Sequence, residues 1–145
     1  MKFLLIPIII YFVNQVIKAF FLWLFKRPIE GNKLFWALVW VGQFPSGHAA
    51  VLTSCLTLIF WRYGLGPLSA FCFFVSLMLM YGFLEDRKRQ NIFESYFIKS
   101  SDKALSTIVK EKILMDFSGH NLADEVFGII EGLVITLLLI NFFRL

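Results

Sequence analysis

Both histidines of this 145-residue chain occur in the same tripeptide, at Ser46-Gly47-His48 and again at Ser118-Gly119-His120. Both fall at expected helix starts, on the same expected membrane face. The rest of the tripeptide suits an anion. Serine caps a helix start, glycine lets the backbone come close to a bound group, and the start itself offers N–H groups and the positive end of the macrodipole. Taken alone, each tripeptide reads first as a capped helix start with an interfacial histidine. Two of them facing each other at one membrane face form an anion site, above all for phosphate.

The second histidine has acids below it. Asp124, Gly128 and Glu131 follow His120 by four, eight and eleven residues and so share one helix face. An acid one turn from an imidazole can orient the ring and raise its basicity; it can equally stabilise the helix N-terminus as a first-turn charge. Lys18 and Glu131 lie inside apolar runs, where an ionisable group marks a functional interior or a paired site. Lys18 shares its face with Asn14 and Gln15. Its depth, about 12 Å from Lys26, and that of Glu131, about 16 Å from His120, are close enough for a salt bridge. The competing reading has Lys18 snorkelling toward the phosphate. Two basic clusters, Lys26-Arg27 and Arg87-Lys88-Arg89, follow apolar runs on the histidine side. Each alone is a membrane-surface anchor; beside two histidines, arginine can grip phosphate bidentately and lysine as a point charge.

The elements that must position these residues are set by the solvent. Hydrophobic residues make up 59% of the chain, aromatic 18% and charged only 17%, with a mean hydropathy of +0.75. A soluble domain has about a quarter of its residues charged, and here half of the 24 charges crowd into Asp86–Asp116. The expected architecture is an all-α integral membrane bundle, a single domain over 1–145. Its crossings are near 3–25, 46–61, 67–84 and 122–143, with a polar segment over 85–118. Arg62, Gly64 and Gly66 make too short a turn to cross anything, so the second and third crossings form a hairpin. Leu105, Ile108, Val109 and Ile113 give Lys103–Met115 an amphipathic, interfacial pattern. The N-terminal run imitates a signal peptide but continues to Phe25 without a cleavage site, so it is expected to remain as a span. Four crossings put ten of the fourteen cations on the histidine side, which the positive-inside bias assigns to the cytoplasm, with both termini outside. A net charge of +4 with no basic aromatic stripe argues against nucleic acid. Cys55 and Cys72, inside apolar runs, read as unreactive buried thiols.

The run Phe44-Pro45-Ser46-Gly47-His48-Ala49-Ala50 resembles the P-S-G-H signature of the type 2 phosphatidic acid phosphatase superfamily. The chain is most similar to its divergent branch, the acid phosphatase/vanadium-dependent haloperoxidase-related family. Gln15 and Lys18 match that branch's Q-x-x-K, Pro45 to Ala50 its P-S-S-H-S-A, and Met80-Tyr81 with Arg87 and Lys88 its M-Y-D and paired-arginine motifs. Gly119, His120, Asp124 and Gly128 match its final G-H-T-P-x-E-V-x-x-G. The resemblance implies that His120 attacks phosphorus, Asp124 orients it and His48 protonates the leaving oxygen. Arg87, Lys88 and Lys18 would hold phosphate oxygens, helped by the backbone at Ser46, Gly47 and Gly119. It implies neither metal nor cofactor. The chain departs from the superfamily at Leu114, where an arginine is usual, and at Phe20, where a lysine would complete K-x6-R-P. Within the divergent branch it departs at Gly82, which replaces the aspartate of M-Y-D.

These observations predict a lipid phosphatase of the bacterial inner membrane. Its substrate is a lipid phosphomonoester or pyrophosphate: phosphatidylglycerophosphate, phosphatidic acid or a polyprenyl pyrophosphate. The partners are bilayer lipids, and so short a chain leaves room for a homo-oligomer that encloses the site. The alternatives are a non-catalytic protein that binds anionic lipid and a small transporter built on Lys18 and Glu131.

Overall fold

The computed structural model describes residues 2–24, 44–99 and 121–145. The expected interfacial helix over 103–115, the Lys26-Arg27 cluster, Leu114 and the second tripeptide through His120 lie outside these residues. The described residues form four helices and no strand: α1 (Lys2–Leu24), α2 (Gly47–Tyr63), α3 (Pro67–Ile98) and α4 (Leu122–Phe143).

Three of them, α1, α3 and α4, are long and apolar enough to cross a membrane. Their outer faces carry Leu4, Phe12, Phe71, Met78, Leu138 and Phe142, all exposed. In water such a surface would drive aggregation; in lipid it is the solvated face. The protein is therefore an integral membrane protein. The second expected crossing falls on α2, whose 17 residues extend about 25 Å and fall short of the other three in length and apolarity. Its position explains this. Helix α2 packs against α1, α3 and α4 alike, so its surface is turned largely to protein. Its buried positions are small or polar: Gly47, Ala49, Ala50, Thr53 and Ser54, with Leu58 below.

Helices α2 and α4 run parallel and in step. The Ser46 N–H donates to the Asp124 carbonyl at 3.0 Å. A Cβ on Gly128 would collide with the Ser46 carbonyl and lie 2.9 Å from the Ala49 Cβ, and one on Gly132 would collide with the backbone of Ala50. Four residues along one helix thus match four along the other. Only glycine permits this approach, as in the small-xxx-small contacts of membrane helices. Helix α1 lies antiparallel to both, with Ile6 and Ile10 in the apolar end of the core beside Ala50, Leu58 and Ile140.

The α2–α3 hairpin closes at Gly64, which takes a positive φ of 68° and donates its N–H to the Phe60 carbonyl. The expected third crossing at 67–84 is the first part of a longer element. Helix α3 has 32 residues, about 48 Å, so it outruns a hydrocarbon core of about 30 Å and carries its C-terminal turns beyond the lipid.

Candidate functional site

His48 lies in the first turn of α2, held by a well-made helix start. Ser46 is the N-cap, and its Oγ accepts the Ala49 N–H at 3.2 Å. The imidazole is half-buried and stacks on Phe83 of α3, with centroids 4.4 Å apart and planes 26° from parallel. The antiparallel hairpin brings these rings together, because both lie about 24 Å from the Gly64–Gly66 turn.

Arg87 is one turn beyond Phe83 on the same face of α3 and is half-buried. Lys88, a further 100° around the helix, is exposed and donates to Glu85 Oε1 at 2.6 Å. The two residues expected to share phosphate binding are thus separated: Arg87 shares the face that meets His48, while Lys88 is engaged at the surface.

Ser46 is also more committed than its tripeptide suggests. It is fully buried. Its N–H is bonded to the Asp124 carbonyl, and its hydroxyl accepts from Ala49 and donates to Glu125 Oε1 at 3.2 Å. The backbone N–H that Ser46 was expected to offer a phosphate is thus taken by α4, while its hydroxyl makes the expected helix cap. Gly47 is buried beside it.

Lys18 of α1 is fully buried. Its charge is acted on by the carboxylates of Glu131 and Asp124, and it acts in turn on His48. Four residues from three helices therefore share one electrostatic neighbourhood. Glu131 Oε2 accepts from Asn14 Nδ2 at 2.8 Å, tying α4 to α1 inside the bundle.

Asp124 sits in the first turn of α4, where its Oδ2 accepts the N–H of the N-cap Asn121 at 3.0 Å. One carboxylate oxygen thus serves as a helix cap, the structural role weighed for this residue against the orientation of His120. His120 and Gly119 lie outside the described residues. Phe21, Phe44 and Phe127 form an edge-to-face series at 5.0 and 4.9 Å, joining α1, the segment before α2 and α4 near this end of the bundle.

Three features escaped the sequence reading. The pair Gly128-x-x-x-Gly132 carried a legible signal, the small-residue spacing of close membrane-helix contacts. Glu125 did not: Asp124 and Glu125 are adjacent first-turn acids, and nothing in their order tells which turns inward. The Phe83 platform was hidden among eighteen phenylalanines. Cys55 and Cys72 are half-buried rather than buried, and both are free thiols. Among the described residues no cluster of three metal-ligating side chains occurs.

No curated protein and no solved structure matches the chain. A family model does match, over residues 1–135, nearly the whole length. With the P-S-G-H turn opening α2 and the acids opening α4, this chain belongs to the Divergent PAP2 family.

Proposed function

We propose that the protein is a membrane lipid phosphatase that hydrolyses a phosphomonoester or pyrophosphate at a lipid headgroup through a phosphohistidine. The observation that carries this reading is the joint start of α2 and α4, where the Ser46 N–H, two residues before His48, meets the Asp124 carbonyl, with Lys18 of α1 buried in the same bundle. Such an arrangement has the parts phosphoryl transfer needs: fixed positive charge, a proton donor and an acid at a helix start.

His120 attacks phosphorus as its bond to the leaving oxygen breaks, and His48 donates the proton that oxygen requires. Water then attacks the phosphohistidine, releasing phosphate and regenerating the imidazole. Lys18 and Arg87 hold the equatorial oxygens, with the Gly47 and Gly119 backbone beside them. Lys88 and the Ser46 side chain contribute less, because Lys88 is turned to the exposed face of α3 and Ser46 is fully buried against α4. Substrate chains stay in lipid while the headgroup meets the site. The cation bias turns that site toward the cytoplasm, which favours phosphatidylglycerophosphate over the other two substrates.

Phosphate release tests the reading, with purified protein in mixed micelles of each of the three lipid phosphates. Release by the wild type and its loss in His120→Ala and His48→Ala are expected. A wild type that binds these lipids and releases nothing would leave a non-catalytic binder of anionic lipid, the alternative favoured by the commitment of Ser46 to α4.

A further inference from the structure

We propose that Glu125 is a positioning residue for His48, holding the start of α2 in register with the start of α4 through Ser46. The proposal rests on the reading of His48 as the proton donor. Glu125 is only 2% exposed, in the first turn of a helix that otherwise buries Gly128, Gly132, Thr136 and Ile140. A carboxyl group in such surroundings is costly unless something specific is done with it.

Its bond is specific. Serine has one hydroxyl proton and two lone pairs. The Ala49 N–H uses a lone pair, and the proton goes to Glu125 Oε1 at 3.2 Å. Glu125 therefore selects the Ser46 rotamer in which the N-cap bond is made. Every polar group of Ser46 then meets α4 or the first turn of α2. The N–H is on Asp124, the hydroxyl is on Glu125, and the carbonyl accepts the Ala50 N–H while lying against Gly128.

His48 is two residues farther on, and between them Gly47 has no side chain to fix the backbone. The orientation of this turn is thus imposed from α4, and the height of the imidazole over Phe83 follows from it. Glu125 touches no reacting atom in this scheme. It acts by hydrogen-bond geometry, and glutamine keeps an acceptor oxygen in the same place.

The expected result is a split in the kinetics. Glu125→Ala lowers kcat by about 10- to 100-fold, the scale set by small misplacements of a catalytic group, with KM within about twofold. Glu125→Gln recovers kcat to within about fivefold, as expected if the lost bond was a hydrogen bond of ordinary strength. A second measurement does not depend on activity. In a His120→Ala background with isotope-labelled histidine, His48 is the only histidine left. Its ring resonances in lipid nanodiscs shift with Glu125→Ala and stay in place with Glu125→Gln.

If Glu125→Ala does not fold, Ser46→Ala breaks the same link from the other side and is expected to shift the ring in the same way. The proposal is overturned if the folded Ala variants leave both kcat and the ring resonances unchanged, or if Gln behaves like Ala. A wild type that releases no phosphate refutes the phosphatase, while the resonances still decide whether Glu125 positions His48.

Discussion

In the proposed mechanism, proton donation depends on where two small groups are held: the His48 ring on Phe83, and the Lys18 ammonium in the field of Asp124 and Glu131. Removing the ring by His48→Ala is expected to slow phosphate release by about 10²- to 10⁴-fold, the usual contribution of a positioned acid. More than a tenth of wild-type activity in that variant would refute the role. Lys18 has two duties that a double variant separates. Lys18→Met removes a fully buried cation near the half-buried Glu131 and is expected to lower the melting temperature in detergent, because a charge left inside the bundle without compensation is costly. Adding Glu131→Gln removes that charge, so thermal unfolding in detergent should recover while phosphate release does not. Recovery of both would make Lys18 purely structural. The two cations on α3 are expected to differ as well. Arg87→Ala raises KM for the lipid phosphate and Lys88→Ala changes it far less, because Arg87 lies on the face of α3 that meets His48 while Lys88 is turned to the outer surface.

At the scale of elements, the site exists because α2 and α4 start together. The contact between them is backbone against backbone at Gly128 and Gly132, and it leaves no space for a methyl group. Gly128→Ala and Gly132→Ala are each expected to destabilise the bundle by about 1–3 kcal/mol, the cost of overpacking a close contact. Leu133→Ala, which trims an exposed side chain on the lipid face, should shift the melting temperature much less. Gly128→Ala presses on the Ser46 carbonyl itself, so it should also lower kcat more than Gly132→Ala, which acts one turn deeper. Equal losses in kcat would disconnect the helix contact from the chemistry. The long α3 has a different task. It brings Phe83 and Arg87 to the level of His48 and then leaves the hydrocarbon.

For the whole molecule, the hairpin end and the histidine end must face opposite sides of the membrane. Single cysteines at Leu65, fully in the open at the α2–α3 turn, and at Lys99, just beyond α3, test this in a background without Cys55 and Cys72. An impermeant thiol reagent added to intact cells is expected to label Leu65→Cys and spare Lys99→Cys, as the cation count requires. The reverse pattern would put the site outside. Much of this architecture is legible in the chain alone, since apolar length determines which segments can span lipid. Leu122–Phe143 was expected to within a residue for that reason. The first Ser-Gly-His likewise identifies a helix start, because serine is a strong N-cap, and Ser46 caps α2. What local sequence could not decide is which polar groups consume one another. The Ser46 backbone was expected to face a phosphate, but α4 takes its N–H. Lys88 was paired with Arg87, but 100° of helix rotation sends it to the surface. Asp124 caps its own helix while its neighbour Glu125 turns inward. The commitment of Ser46 and its bond to Glu125 depend on the register of α2 against α4, and that register comes from two glycines whose lack of a side chain matters only once another helix lies against them.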